Sequence, residues 1–220
     1  MSSILSVNVS EAKLLVYKGR SVQSSIRKQP MAGAVAVDKH GLDGDRQADL
    51  RNHGGPAKGI YIYPSEHYRA WRTYLNRPLP YGTLGENLTV EGLLETELCI
   101  GDRLGIGEVV IELTQPRIPC YKLDMSVEQS GFSKTFAHSC KTGSYAKIIK
   151  GGTLRAGAEI VFLKRTVERI SVYEIARLYF IDKQNYDAIE QVVKLKTLPQ
   201  GIRSVFEKRL AHSKIQAKLL

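Results

Sequence analysis

The stretch that decides the fold is Val109-Val110-Ile111-Glu112-Leu113-Thr114-Gln115-Pro116-Arg117-Ile118-Pro119-Cys120. It opens with an apolar run of the kind that makes a buried β-strand. Two prolines then fix the backbone and remove two amide donors, so the chain should leave the sheet as a stiff loop. The cysteine at the end of that loop would be held at a defined place beside the sheet.

Cys120 is a candidate for chemistry as well as for structure. Arg117 and Lys122 lie close to it in the sequence and favour the ionised sulfur, which is the form that binds a metal or attacks an electrophile. The alternative is a small buried apolar residue. The other cysteines, Cys99 and Cys140, make the total odd and lie about twenty residues away. Neither a disulfide framework nor a zinc-knuckle spacing fits them, so we expect reduced thiols.

The composition is that of an ordinary soluble globular protein with a sizeable core, since 43% of the 220 residues are apolar and 25% are charged. No run approaches the roughly 20 apolar residues of a membrane span, and the N-terminus lacks a secretion signal, so we expect a cytoplasmic protein without a membrane partner. The formal charge of +10 favours anionic ligands or partners. Twelve Lys and Arg against six Asp and Glu follow from Lys164 onward, so much of this excess lies in the tail.

Residues 1–165 predict a mainly β, α+β domain, because short apolar runs alternate with Gly, Pro and Asn turns. Their spacing favours a closed or strongly curved β-barrel. One helix is expected from Glu66 to Leu75, capped by Ser65, and Gly101 to Gly107 should be a turn region. The expected strands are Ile4 to Val9, Ala34 to Val37, Lys58 to Tyr63, Asn87 to Val90, Val109 to Leu113, Tyr145 to Ile149 and Ile160 to Leu163.

Residues 166–220 predict a small C-terminal three-helix unit. Ser171-Val172-Tyr173-Glu174 is a capping-box pattern that opens the first helix. Asn185 opens a second amphipathic segment, and Thr197-Leu198-Pro199-Gln200 opens a third. We expect these short helices to be stabilised by packing rather than by intrinsic propensity.

Two glycine-rich segments could bind an anion. They are Gly41-Leu42-Asp43-Gly44-Asp45-Arg46-Gln47-Ala48-Asp49 and His53-Gly54-Gly55-Pro56-Ala57-Lys58. Glycines allow the backbone amides to approach phosphate oxygens, and Lys58 and Arg46 could add charge. A surface loop with several turn glycines is the alternative.

Taken in order, a set of short motifs resembles the MOSC domain, named from the C-terminal domain of molybdenum-cofactor sulfurases. The resemblance covers nearly the whole chain, and the helical tail is similar to that of YiiM-like stand-alone members. The motifs are Gly-Leu-Asp-Gly-Asp (41–45), His-Gly-Gly-x-x-Lys (53–58), Tyr-Pro (63–64), Gly-Glu-Asn-Leu (85–88), Ile-Gly-Asp (100–102), Gln-Pro-Arg-x-Pro-Cys-x-Lys-Leu (115–123) and Gly-x-Tyr (143–145).

The resemblance implies a β-barrel that binds molybdenum cofactor (molybdopterin), with Cys120 as the metal ligand and catalytic residue. It implies reduction of N-hydroxylated compounds such as hydroxylaminopurine bases, and it also allows pyridoxal phosphate as a ligand. Arg117 would lie near the pterin or its phosphate, and Lys58 would hold the phosphate together with amides around Gly54 and Gly55. The further pocket residues would be His53, Asp45, Asn87 and Tyr145.

Two other functions remain open from the sequence. The protein could be a sulfur carrier with a persulfide on Cys120, or a basic module that binds a cofactor or nucleic acid without catalysis. Nucleic acid is not the expected partner, because the tail has few aromatic residues that look exposed and no recognisable recognition helix. Redox turnover would need a separate electron-donating reductase, since the chain shows no flavin, haem or iron–sulfur motif.

Overall fold

The computed structural model describes residues 1–46 and 55–218. Within these residues the strands are β1 (Ser2–Val9), β2 (Lys13–Tyr17), β3 (Arg20–Ser24), β4 (Gln29–Pro30), β5 (Val35–Asp38), β6 (Gly41–Leu42), β7 (Ile60–Pro64), β8 (Leu88–Glu91), β9 (Arg103–Ile106), β10 (Val109–Pro116), β11 (Ser144–Lys150), β12 (Gly152–Leu154) and β13 (Glu159–Lys164). The helices are α1 (Tyr68–Leu75), α2 (Tyr121–Ser126), α3 (Phe132–His138), α4 (Val172–Phe180), α5 (Tyr186–Val192) and α6 (Gln200–Lys218).

Seven strands close into a mixed β-barrel in the order β13-β9-β10-β11-β7-β8-β1, with β1 pairing back onto β13. The pairing of β7 with β8 is parallel, and the other barrel pairings are antiparallel. β4 extends the sheet beyond β1. Two smaller sheets, β12-β5-β6 and β2-β3, lie outside the barrel. The expected barrel is therefore confirmed.

The apolar run Val109 to Leu113 is the start of β10, as expected, but the strand continues to Pro116. Pro116 pairs with Ser144 at the end of the ladder, where a missing amide donor disrupts little. The prediction of a turn region from Gly101 to Gly107 was wrong, because β9 occupies its middle. Leu104 and Ile106 are fully buried there, and they stabilise a strand in spite of the glycines around them.

The expected helix after Ser65 is present but starts differently. Ser65–His67 form a 3-10 turn, and α1 begins only at Tyr68. No side-chain cap is present at either start, so the expected capping role of Ser65 was wrong. A second 3-10 turn, Pro56–Lys58, lies where we expected the beginning of β7.

Two apolar clusters meet at β7. Ile60 and Ile62 point into the barrel cluster, which also contains the inward side chains of the other barrel strands. The alternate residues, Tyr61 and Tyr63, belong to an aromatic cluster that α1, α2 and α3 hold against the outside of the barrel. A strand that is buried on both faces has no polar alternation, which explains the sequence Ile-Tyr-Ile-Tyr. The aromatic cluster forms one side of the functional pocket described below.

The C-terminal helices pack on the barrel as well as on each other. The expected capping box at Ser171 and Glu174 and the expected cap at Asn185 are confirmed by their hydrogen bonds. Val172 on α4 and Phe206 on α6 are fully buried members of the barrel cluster. In the part of the chain that the structure describes, no helix is both long and apolar enough for a membrane span.

Candidate functional site

An open pocket of about 90 Å³ lies beside Cys120 and is called the Cys120 pocket below. Its lining comprises Ser24, Ser25, Ile26, Lys28, Asp45, Lys58, Tyr61, Gly85, Asn87, Arg117, Cys120, Lys122 and Tyr145. The volume is below the roughly 300–1,000 Å³ of pockets that enclose drug-sized ligands. A larger ligand would therefore place only one end among these side chains.

Several of the residues predicted from the sequence meet in this pocket. Those that line it are Asp45, Lys58, Asn87, Arg117, Cys120 and Tyr145. Gly55 is not in the lining and directly precedes the 3-10 turn that carries Lys58. His53 and Gly54 lie outside the described residues.

Cys120 follows the loop between β10 and α2, where its backbone is still extended (φ −131°). Arg117 is the first residue of that loop. Its backbone amide donates to the carbonyl oxygen of Gly143 at 3.2 Å, which fixes the loop to the residue directly before β11. Cys120 is half-buried at the pocket wall, whereas Cys99 and Cys140 are buried. Its sulfur thus belongs to a wall that a ligand can reach.

Arg117 turns inward and is fixed at the back of the pocket. Its Nη1 donates to the carbonyl oxygen of Leu84 at 2.5 Å and to Tyr61 Oη at 3.4 Å. The guanidinium lies 4.8 Å from the centre of the Tyr61 ring, a cation–π contact. Burial lowers the pKa of Arg117, but Tyr61, Tyr145 and Cys120 outweigh burial and hold the pKa above its usual value. Arg117 therefore supplies a permanent positive charge at a fixed position.

Tyr61 and Tyr145 form an aromatic wall next to Arg117, with their ring centres 5.1 Å apart. They are cross-strand partners on β7 and β11, which places both rings on the same face of the sheet. Burial is the main cause that raises the pKa of both phenols, so both stay protonated near neutral pH. Tyr61 donates its hydroxyl to the carbonyl of Thr142 at 2.8 Å.

Lys28 is the pocket residue that the sequence reasoning missed most clearly. It is only 7% exposed, and its Nζ forms an ion pair with Oδ1 of Asp45. Burial lowers its pKa below the usual value for lysine, although Asp45 and Glu86 act in the opposite direction. Lysine side chains are usually exposed and are almost never fully buried unless they are paired. The sequence alone therefore gave no reason to expect Lys28 in a buried pocket wall. Tyr61 was also missed, although its place in a doubly buried strand could have indicated it.

The lining carries four cationic side chains, Lys28, Lys58, Arg117 and Lys122, against one carboxylate, Asp45. Since Asp45 is already paired with Lys28, the remaining charge is positive and favours an anionic ligand. Among the described residues, no three His, Cys, Asp or Glu side chains lie together as a metal site.

Glu86 supports the pocket from behind. Its Oε1 accepts hydrogen bonds from the amide of Gly82 at 2.7 Å, from Thr89 at 2.8 Å and from the hydroxyl of Tyr68. Burial raises the pKa of this carboxyl, and the hydrogen bonds offset the effect only in part. These contacts fix the loop from Gly85 to Asn87, both of which line the pocket.

Comparison with known proteins agrees with this architecture. The family model described as MOSC domain matches residues 49–161, and the one described as YiiM-like, 3-alpha helix domain matches residues 170–213. The crystal structure of YiiM from Geobacillus stearothermophilus superposes with a TM-score of 0.81 at 32% identity, covering 96% of this chain and 100% of that one.

Two proteins of related sequence extend the comparison. The protein YflK of Bacillus subtilis is 37% identical over 216 residues, which cover 94% of each chain. A protein named Reductase from Gibberella moniliformis is 31% identical over 165 residues, which are 73% of this chain but only 29% of that longer protein.

Proposed function

Because the chain belongs to the MOSC domain family and carries a YiiM-like 3-alpha helix domain, we propose that it binds molybdenum cofactor in the Cys120 pocket and reduces N-hydroxylated compounds there. The observation that carries the proposal is the meeting of one reachable thiol with several cationic side chains in one open pocket. Hydroxylaminopurine bases are the substrates we propose. The printed name of the Gibberella moniliformis relative supports a reductive reaction.

The donor set of the pocket fits this cofactor. A soft thiolate suits a metal whose other ligands are sulfurs, and Cys120 is the pocket residue that can supply it. Lys58 and Arg117 would attract the phosphate of the pterin, Lys58 from the edge and Arg117 as a fixed charge behind it. When bound, the cofactor supplies the two-electron chemistry that removes oxygen from an N–O bond.

The overall reaction converts an N-hydroxylamine, two electrons and two protons into an amine and water. One proton must reach the departing oxygen, and we assign its delivery to Nζ of Lys28. Lys28 lines the pocket, and Asp45 holds its Nζ in place. Its lowered pKa makes the ammonium a better acid than an exposed lysine. The other proton and the one that restores Lys28 come from solvent through the open side.

The electrons must come from a separate reductase. The part of the Gibberella moniliformis reductase that matches this chain is 29% of that protein, so most of that longer chain has no counterpart here.

The test is anaerobic turnover of 6-hydroxylaminopurine with reduced methyl viologen, with adenine quantified by chromatography. The protein is purified from a host that makes molybdenum cofactor and from an otherwise identical host in which cofactor synthesis is blocked. We expect adenine only with the first preparation. Equal rates from both preparations would contradict the proposal. A sulfur atom added to Cys120 without bound molybdenum would favour the carrier function instead.

A further inference from the structure

The β2–β3 hairpin turns one of its two faces toward the Cys120 pocket. In its ladder Tyr17 lies opposite Arg20, and Lys13 lies opposite Ser24. Directly opposite residues share a face of the sheet, and so do residues an even number of positions apart on one strand, so these four side chains lie on the same face. Ser24 is buried and lines the pocket. This face is called the inner face of the hairpin below.

Two aromatic rings meet where the inner face reaches α2. The ring centre of Tyr17 lies 6.1 Å from that of Tyr121, with 31° between the ring planes. Tyr121 lies between Cys120 and Lys122, which both line the pocket, and its exposed fraction is 49%. Lys122 Nζ also contacts the carbonyl oxygen of Gln23 at 3.5 Å, which holds the hairpin beside α2. An open aromatic surface therefore adjoins the pocket, and such a surface suits the stacking of a planar ring.

Positive charge follows the inner face from the pocket to the tip of the hairpin. Lys13 is exposed near the pocket end, and Arg20 is exposed near the tip. Lys18 Nζ lies 5.4 Å from the centre of the Tyr17 ring, so it belongs to the same face. In the described ranges, no carboxylate forms an ion pair with any of these three side chains. Their charge is therefore available to an anionic ligand.

The length of the hairpin indicates the size of that ligand. Four residues lead from Ser24 to Arg20, which at about 3.3 Å per residue places the tip about 13 Å beyond the pocket edge. A free purine base is too short to contact both Tyr121 and the cations of the tip, whereas a purine nucleotide carries its phosphates away from the ring. Exposed aromatic rings beside cations are the usual means of binding bases together with their phosphates.

We propose that the substrate enters as a purine nucleotide, with its base stacked on Tyr121 and its phosphates held by Lys18 and Arg20. The inference rests on the proposed function and deepens it, because it assigns the N-hydroxylated purine to its nucleotide form rather than to the free base. Single-stranded nucleic acid has the same chemistry but is disfavoured, since sites for it typically hold about 4–16 nucleotides and this face is only one hairpin long.

Binding is tested by calorimetry with adenosine triphosphate, adenine and inorganic triphosphate, each titrated into the purified holoprotein. Adenosine triphosphate is the product expected from its N-hydroxylated form, so it does not turn over. We expect it to bind at least about tenfold more tightly than adenine or inorganic triphosphate, because only the nucleotide engages both the ring and the cations. Its Kd should also rise with added salt.

Variants separate the two halves of the site. Tyr121→Ala should raise the Kd of adenosine triphosphate about fivefold or more, while Tyr121→Phe, which keeps a ring, should stay within about twofold of wild type. Lys18→Gln with Arg20→Gln should raise this Kd about tenfold or more. The matched control is Lys208→Gln with Lys214→Gln, which removes two exposed charges on α6 and should change the Kd less than twofold.

Three results would overturn the proposal. Adenine that binds as tightly as adenosine triphosphate would show that the phosphates are not recognised. Inorganic triphosphate that binds as tightly would show an anion site without base recognition. Tyr121→Ala and the Lys18 and Arg20 double variant that both bind like wild type would exclude this face. A single-stranded oligonucleotide that binds more tightly than the nucleotide would assign the face to nucleic acid instead.

Turnover separates this inference from the proposed function. With reduced methyl viologen, kcat/KM for 6-hydroxylaminopurine riboside triphosphate should exceed that for the free base at least about tenfold. Lys18→Gln with Arg20→Gln should remove most of this difference. If neither compound is reduced, the proposed function fails, yet the calorimetry still decides whether the hairpin binds a nucleotide. If the free base is reduced with an equal or higher kcat/KM, the proposed function stands and the nucleotide assignment fails.

Discussion

Nδ2 of Asn87 donates a hydrogen bond to Oδ2 of Asp45 at 2.8 Å, and Oδ1 of Asn87 accepts one from the backbone amide of Tyr61 at 3.0 Å. Asp45 in turn receives the amide of Ser10 at 2.9 Å and the ammonium of Lys28. The two residues thus join separate segments into one pocket wall. Their polar atoms are engaged within the protein, so they shape the pocket even where they touch no ligand.

Replacing Asn87 by Asp should destabilise the protein by about 1–3 kcal/mol, because a carboxylate cannot donate to Asp45 and adds a like charge beside it. Chemical denaturation near neutral pH measures the change in the free energy of unfolding.

A double-mutant cycle provides the control. Asp45→Asn combined with Asn87→Asp restores a donor and an acceptor in reversed positions, so part of the loss should be recovered. Strictly additive losses would show that the two side chains do not interact.

Replacing Gly143 by Ala should destabilise the protein by roughly 1–3 kcal/mol or more, because Gly143 has φ +69° and an added Cβ would lie 2.5 Å from the carbonyl oxygen of Ile62. Gly107→Ala is the matched control, since Gly107 also has positive φ (+56°) but has open space around it. Thermal unfolding of both variants should show the larger loss at Gly143. Equal losses in the two variants would mean that the closeness of the Ile62 carbonyl oxygen to Gly143 adds no energetic cost.

The rate of substrate reduction with a chemical donor should fall as pH rises through the pKa of Lys28. The proton donor is competent only below that pKa, and burial places the pKa below the usual value for lysine. The charged groups that act on Lys28 are Asp45 and Glu86, which favour the ammonium, and Arg117, which opposes it. The pH profile of kcat should therefore decline at a lower pH than an exposed lysine would give.

Lys28→Arg keeps the positive charge beside Asp45 but cannot release a proton, so kcat should fall about 100-fold or more. Lys122→Arg, on the same pocket, should change kcat little. Molybdenum content should stay at the wild-type level in both variants, which separates proton delivery from cofactor binding. A Lys28→Arg enzyme with wild-type kcat and pH profile would exclude this role.

Much of the barrel and the tail could be predicted because their signals are local. The apolar run of β10 predicts a strand without reference to distant residues, and the capping box at Ser171 predicts a helix start in the same way. The hairpin β2–β3 could not be predicted, because its consecutive aliphatic residues Leu14, Leu15 and Val16 are exposed or only half-buried, and no core selects them. Helices α2 and α3 are six and seven residues long, and such helices depend on packing against the aromatic cluster rather than on propensity.

The pocket could be predicted only in part, because local motifs supply some of its residues and long-range contacts bring in the others. Cys120 and Arg117 belong to a proline-bracketed motif, which the sequence displays directly. Lys28 lies in Ile26-Arg27-Lys28-Gln29, a stretch with no local feature that separates it from the half-buried Arg27 and the exposed Gln29 beside it. Its burial results from the long-range contact with Asp45 and from the loop around Gly82, whose carbonyl accepts the Lys28 amide at 3.2 Å. Contacts of this kind become visible only in three dimensions.

The measurement that tests the account most directly is the molybdenum content of protein purified from a cofactor-competent host, determined by elemental mass spectrometry for wild type, Cys120→Ser and Cys140→Ala. The account predicts close to one molybdenum atom per chain in wild type and in Cys140→Ala, and loss of the metal in Cys120→Ser with its thermal unfolding otherwise unchanged. Equal molybdenum in wild type and Cys120→Ser, whether near one atom per chain or only at trace level, would contradict it.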